Sequence, residues 1–415
     1  MEIDAGSTAW VLMAMALVML MTPGLALFYG GMVRAKNALG MLMQNFFSLG
    51  LVSVLWVVVC YSLAFGGTGK WVGNFDFLGL KDVADTAPPD IALVIPPLLY
   101  MAFQLTFAVI TPALISGAVA DRMKFSAWMW FIGLWVLLVY SPIAHWVFAP
   151  AGWLFQRGAL DFAGGTVVHI NAGIAALAAI LVLGRRRGWP DHPMPPHSLP
   201  LTVLGAGMLW FGWFGFNAGS ALAADGVAAQ ALVNTHVSAA AAMLGWLLVE
   251  KLTTGHPTTL GAASGAVAGL VAITPCAGFV GGMAPVIIGA IAGAVCMLAV
   301  SMKFRLGYDD SLDVIGVHLV GGIIGSLLLG LFADPAVNPL VTDPGVFIDG
   351  GGWALMGDQV VAVLATLVYS FVVTFAICVV LNAVIPGGIR VAAEDEETGL
   401  DLTQHSETAY ALERV

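Results

Sequence analysis

DFAGGTVVHINAGI (residues 161–174) and DSLDVIGVHLVGGI (residues 310–323) are the two stretches on which the reading of this chain turns. In each, an aspartate is followed eight positions later by a histidine, Asp161 to His169 and Asp310 to His318. An aliphatic residue, two variable positions, a glycine and an isoleucine then follow, ending at Gly173-Ile174 and Gly322-Ile323. Both copies lie in strongly apolar sequence. An imidazole inside hydrocarbon is costly and marks function by default, so two at repeat-equivalent places point to one shared site.

The surrounding chain is 60% hydrophobic and only 10% charged, which excludes an ordinary soluble domain. Apolar runs of bilayer length fall at roughly 8–32, 40–65, 94–119, 126–148, 163–185, 199–221, 230–252, 258–278, 281–303, 313–333 and 358–386. The predicted fold class is an all-α polytopic membrane protein of about eleven transmembrane helices. With the N-terminus outside, Arg34, Lys36, Arg122, Lys124, Arg185, Arg186, Arg187, Lys251, Lys303, Arg305, Arg390 and Arg414 fall inside, and only Lys70, Lys81 and Arg157 fall outside. That asymmetry predicts N-out, C-in. Glu2 and Asp4 precede the first span where a signal peptide would be basic, so it reads as a true span. The transmembrane domain is taken as residues 1–387 and an acidic cytoplasmic tail as 388–415. Glu394, Asp395, Glu396, Glu397, Asp401, Glu407 and Glu413 crowd that tail, and Asp76, Asp82, Asp85 and Asp90 an outer loop. Either cluster reads as well as plain solvation as it does as an electrostatic device.

His169 falls in the fifth span and His318 in the tenth. Five spans is an odd number, so the second copy enters the membrane in the opposite sense, as in two inverted five-helix repeats followed by a last helix. Eight residues of helix rise about 12 Å. Each histidine therefore lies about 12 Å in from its own face of a core about 30 Å thick, and the two rings are expected to meet near the midplane. Two touching imidazoles in an apolar lumen cannot both be charged cheaply, but they can share or relay a proton.

The other histidines are read differently. His192, His197, His256 and His405 are expected in solvated loops or tail, and His145 and His236 as helix-packing hydrogen-bonders. Cys60, Cys276, Cys296 and Cys378 are scattered singly, which indicates neither a metal centre nor a disulfide framework. No cofactor is expected, and no HExxH, GxSxG or Walker-type segment suggests an enzyme. The Gly289-Ala290 and Gly293-Ala294 pairs predict close helix packing. A second constellation is aromatic: Phe103 and Phe107 one turn apart in the third span, Phe148 ending the fourth, and Trp213 and Phe216 in the sixth, followed by Asn217 and Ser220. Ring faces with a nearby hydroxyl suit a weakly hydrated cation. Taken singly, most of the thirteen tryptophans and twenty-two phenylalanines are expected only to pack helices or sit at interfaces.

With these residues in view, the chain resembles the ammonium transporter (Amt/Mep/Rh) family, in its bacterial Amt branch. The matching stretches are MTPGLALFYGGMVRAKN (21–37), AFQLTFAVITPALISGAVADR (102–122), DFAGGTVVHINAGIAAL (161–177), WFGFNAGSA (213–221), DDSLDVIGVH (309–318) and the tail GIRVAAEDEETGLDLTQHSETAY (388–410). The resemblance implies a homotrimer in the plasma membrane with one hydrophobic conduit per subunit. It implies ammonium recruitment by Ser220 and Phe107, closure by Phe107 and Phe216, and a lumen lined by His169 and His318 beside Trp213. Asp161 would support the outer site without touching substrate. Phe103, Asn217 and Asp313 are added here as lining or supporting residues. A PII-type regulatory protein on the cytoplasmic face is implied as a partner, with the tail and Arg185 to Arg187 as neighbours; nucleic acid is not. Two departures stand out. HWVFAPAGWL (145–154) puts Phe148 where the family usually has tryptophan, with Trp146 and Trp153 as candidate substitutes, and Ser406 stands where the tail usually has glycine.

The expected function is ammonium uptake: ammonium recruited outside sheds its proton and crosses as ammonia, the proton passing by the twin histidines. An ammonium sensor with little flux is the alternative. Axial haem ligation by the intramembrane histidines is a third reading, opposed by the lack of a second spaced pair.

Overall fold

The computed structural model describes residues 2–410; Glu413 and Arg414, assigned above to the tail, lie outside the described residues. Ten helices are long and apolar enough to cross a membrane. In order they are α1 (Ala5–Met32), α2 (Ala35–Phe65), α3 (Pro97–Val119), α4 (Phe125–Arg157, interrupted at residues 149–152), α5 (Gly165–Leu183), α6 (Leu199–Gly219), α7 (Gly226–Thr254), α9 (Ala284–Leu306), α10 (Ile315–Phe332) and α11 (Ala354–Val384). Between α7 and α9 lies the shorter apolar helix α8 (Thr259–Ile273). Two short helices, α12 (Ala393–Thr398) and α13 (Leu400–His405), form the tail. No strand occurs among the described residues beyond one isolated bridge between Met123 and Arg390.

The eighth predicted span, 258–278, is where helix and expectation part. The helix stops at Ile273 and residues 274–279 run as turns. Pro275 is the cause: it has no N–H to give, so the helical ladder cannot continue through it, although Thr274 itself keeps helical dihedrals of −51° and −48°. The released Pro275 carbonyl accepts the Phe162 N–H at 3.1 Å, so the break seats the segment leading into α5.

The two repeats, α1–α5 and α6–α10, interlock through their equivalent members. Their first helices, α1 and α6, form the most extensive helix pairing in the chain. They touch backbone to backbone: a Cβ on Gly205 would stand 2.2 Å from the Phe28 nitrogen. Their last helices, α5 and α10, cross at the glycines four residues beyond each histidine. A Cβ on Gly173 would lie 2.5 Å from the Leu319 nitrogen, and one on Gly322 would lie 3.1 Å from the Gly165 carbonyl oxygen and the His169 Cβ. The glycine in each copy of the motif is therefore the point at which the partner helix passes. Gly289 and Gly293 do the same for α9 against Ser238 and Ala242 of α7, as small-residue faces do in membranes.

Both histidine helices begin as π-helix, at Gly165–Ile170 and Ile315–Leu319, a distortion found mostly at functional sites. A carboxylate organises each start. Asp161 Oδ1 accepts the N–H groups of Gly164 at 2.7 Å and Gly165 at 2.6 Å, and its Oδ2 accepts the Thr166 N–H at 2.8 Å and the Thr166 hydroxyl. Asp310 Oδ2 accepts the Ile315 N–H at 2.7 Å. Bare N–H groups at a helix start are what an acidic side chain satisfies best.

The acidic tail is docked rather than merely solvated. Asp401 takes the Leu39 and Gly40 N–H groups at 3.0 and 2.8 Å, and Glu396 takes the Arg187 N–H and the Arg390 guanidinium, both at 2.7 Å. The loop and tail histidines follow suit. His197 lies half-buried between the Val33 carbonyl and the Tyr410 hydroxyl, each at 2.8 Å, and His405 packs edge-on against Phe125; only His192 and His256 are exposed.

Candidate functional site: a histidine-lined conduit

His169 and His318 meet as the inverted topology requires. Their Nδ1 atoms lie 3.3 Å apart and their rings stack at 5.4 Å, tilted by 20°. Both are buried. Two facing ring nitrogens are compatible only if one carries a proton and the other a lone pair, so the couple holds a single hydrogen between them. The outward Nε2 of His169 has no partner in the protein and is free to meet a small polar molecule in the lumen.

The space beside the rings is lined by Met21, Leu25 and Phe28 of α1, Ile110 and Leu114 of α3, Leu209, Trp213 and Phe216 of α6, and Val267 of α8, with both histidines. About 10 Å³ is open there to the centre of a water-sized molecule, room for roughly one. The lumen is apolar apart from the imidazoles. A bare cation there loses its hydration with nothing to replace it, whereas a neutral molecule of water size pays little.

Aromatic side chains shape the approach to this space. Phe107 and Phe216 lie 4.3 Å apart, tilted by 35°, and Phe103 backs Phe107 edge-on at 5.0 Å. Phe216 in turn reaches the His169 ring at 6.1 Å. Trp213 stacks on His169 at 5.4 Å and 18° and lies 5.4 Å from Phe216. Its indole N–H donates to the Thr274 hydroxyl at 2.9 Å, and that hydroxyl donates to the Leu270 carbonyl at 2.7 Å. Thr274, absent from the expected set, fixes the Trp213 plane; its only mark in the sequence is its place before Pro275, where the eighth span was expected to continue.

Ser220 stands half-buried just past α6, its hydroxyl donating to the Phe216 carbonyl at 2.8 Å and keeping its lone pairs free. Phe148, half-buried at the end of the first part of α4, enters none of the ring stacks just described. Trp146 and Trp153 do not take its place. They cluster with Trp71, at 6.3 and 5.4 Å, and Trp146 also packs on Tyr369 of α11 at 4.7 Å.

Asn217, expected as a lining or supporting residue, is buried against α7 and donates to the Thr235 hydroxyl at 2.9 Å. Asp313, expected in the same capacity, pairs with Lys303 at 2.5 Å. The carboxylate equivalent to Asp161 is Asp310, which the repeat spacing had already marked. His236 is exposed and lies beside Trp210 at 5.4 Å, without the packing hydrogen bond expected of it. His145 does behave as a packing residue, its ring nitrogens 2.8 Å from the Ala64 carbonyl and 2.5 Å from that of Gly69.

Comparison with known proteins follows the same line. The profile of the Ammonium Transporter Family matches residues 9–410. An ammonium transporter of Mycobacterium tuberculosis is 51% identical over 434 aligned residues, covering 98% of this chain and 90% of the relative. One from Bacillus subtilis is 50% identical over 406 residues, covering 98% of each. Among solved structures, Saccharomyces cerevisiae Mep2 superposes with a TM-score of 0.88 at 36% identity, over 95% of this chain and 89% of that one. A structure described as a sensor Amt protein superposes with a TM-score of 0.87 at 30% identity, over 96% and 98%.

Proposed function

This chain belongs to the ammonium transporter family, and from that premise we propose how it moves ammonium. Ammonium is recruited at the outer mouth by Phe107, Phe148 and Ser220, with Asp161 holding the start of α5 in shape. Its proton is shed before the Phe107–Phe216 gate, since the lumen beyond offers a cation no hydration. Ammonia then passes His169 and His318, and the proton crosses separately along that couple, so that net charge moves. Potassium has no proton to shed and is excluded for the same reason. Uptake across the plasma membrane places the N-terminus outside, the tail inside, and three copies of this chain in one assembly, with a PII-type regulator as the partner on the tail side.

The observation that carries this reading is the buried Nδ1–Nδ1 couple within an otherwise apolar lumen. Replacing both histidines (H169N with H318N) in proteoliposomes tests it. The expected result is loss of the ammonium-evoked current or admission of potassium; an undiminished current that still rejects potassium rules out the relay. A second reading, an ammonium sensor with little flux, is favoured by the likeness to the solved sensor protein. Flux measured on the same vesicles separates the two.

A further inference from the structure

Three consecutive carbonyls in the loop after α2 are held by the broken part of α4. Gly69 faces the His145 Nε2 at 2.5 Å, Lys70 accepts the Trp153 N–H at 3.2 Å, and Trp71 accepts the Trp146 indole N–H at 2.6 Å. This strap is also stapled to α2, by the Gly73 N–H on the Leu63 carbonyl at 2.7 Å and the Asn74 N–H on the Gly66 carbonyl at 3.1 Å. Phe148 stands between the residues that hold the strap: His145 and Trp146 precede it, and Trp153 follows the break at residues 149–152. The strap therefore braces the stretch of backbone that carries Phe148.

His145 differs from the two tryptophans in what it faces. Its ring is buried, with Nδ1 2.8 Å from the Ala64 carbonyl oxygen in the last turn of α2 and Nε2 on Gly69. Both partners are acceptors with no hydrogen to give. A neutral imidazole has one N–H, so it serves one carbonyl and turns a lone pair on the other. Turning the ring over puts a carbon in place of each nitrogen and loses both bonds. Only a ring with hydrogens on both nitrogens satisfies the two carbonyls, and bonds donated by an ionised group are the strong ones.

The charged and titratable groups on the surrounding elements are Cys60 and Tyr61 of α2, Lys70 of the strap, Tyr140 of α4, Asp161 before α5 and Tyr369 of α11. Asp161 is committed to its own helix start, and no carboxylate pairs with the His145 ring among the described residues. The two carbonyl dipoles are what a charge on this ring has to lean on.

We propose that His145 is a positioning residue for ammonium recruitment: as an imidazolium it ties the strap to α2 and so holds Phe148 in place at the mouth. When the ring gives up a proton, one of its two bonds is lost and the grip on Phe148 loosens. The inference rests on the recruitment reading given above. The only covalent change is at one ring N–H, and the proton is exchanged with water on the face away from the tail.

The ring itself gives the first test. In the full-length protein, reconstituted in lipid with isotope-labelled histidine, nuclear magnetic resonance should show both ring nitrogens of His145 carrying hydrogen at about pH 5, the acid end of the imidazole range. A single N–H there overturns the inference. Transport gives the second. In proteoliposomes, the half-saturating ammonium concentration should rise roughly two- to tenfold, the scale of one hydrogen bond, as the pH on the face away from the tail goes from about 5 to about 8. His145→Gln, uncharged at every pH, should stay near the high value throughout. A half-saturating concentration that falls with rising pH overturns the inference, since it marks a charge that merely repels ammonium. So does a change confined to the maximal current, or a variant that keeps the wild-type pH profile. Phe148→Ala separates this from the reading beneath it: an unmoved half-saturating concentration in that variant overturns recruitment at Phe148 and takes the positioning role with it.

Discussion

Phe148 shows how much rests on one ring. A phenyl face attracts a cation less than an indole face does, and it brings no N–H. Trp146 and Trp153 are tied up with Trp71 and offer no replacement. Phe148→Trp should therefore tighten ammonium recruitment by about 0.5–1 kcal/mol, a two- to fivefold fall in half-saturating concentration, read from current against ammonium. Thr274 carries a different burden. Thr274→Val strands the Trp213 indole N–H in an apolar lumen at a cost of about 1–3 kcal/mol. The expected outcome is impaired ammonium transport with normal protein yield, while Thr274→Ser, which keeps the hydroxyl, should transport as the wild type does. Ser406 sits at φ 57° in the tail, where it closes α13 with its N–H on the Leu402 carbonyl at 3.0 Å. A side chain in that left-handed conformation costs about 1 kcal/mol against glycine. Ser406→Gly should hold the tail more firmly, seen as slower hydrogen exchange at Leu39 and Gly40, whose N–H groups bind Asp401.

The helices were readable because their apolar runs are long and their breaks are sparse. The meeting of α5 and α10 was readable as well, since an odd number of intervening spans fixes the opposite sense and eight residues fix the depth. Side-chain direction was not. Asn217 follows Phe216 by one position and turns toward α7, and no pattern in α6 alone says which neighbour stands there. Asp313 fell to Lys303 because residues 311–313 are not helical, and Asp313 itself has φ 64°, so spacing along a helix has no meaning at that point. The glycines of the two motifs were visible as a repeat but not as a crossing. Gly322→Ala places a methyl carbon 3.1 Å from His169 Cβ, and the helices must part to admit it. Transport should fall severely, with a smaller loss of thermal stability of about 1–3 kcal/mol in detergent, the usual toll of overpacking.

Taken together, the tail-side ends of the helices are tied by one buried ionic chain that spacing in the sequence could not reveal, because its members lie far apart along the chain. Arg186 is bidentate on Asp309 and reaches Asp121, which also binds Arg34 at 3.0 Å and Asn37 at 2.5 Å; Asn37 then receives the Leu400 N–H of the tail at 2.8 Å. Arg122 adds bonds to the carbonyls of Gly184 and Asp309 and to the Ser311 hydroxyl. Asp309→Asn leaves a buried guanidinium short of its counter-charge, and such losses run to about 3–5 kcal/mol, so the melting temperature in detergent should drop. Burial alone would raise the Asp309 carboxyl, but Arg186 and Arg122 outweigh it and hold it below the usual value. Its contribution is thus full above the ordinary carboxylate range and fades only as pH falls below it.

The truncated α8 has a bearing on how the protein is made. Its fifteen residues rise only about 22 Å, well short of the hydrocarbon thickness. Such a segment has no stable resting place in lipid by itself. During synthesis it must be handed from the insertion machinery straight into the cleft between its neighbours, so the ribosome has to deliver α7 before it and α9 after it as one packet.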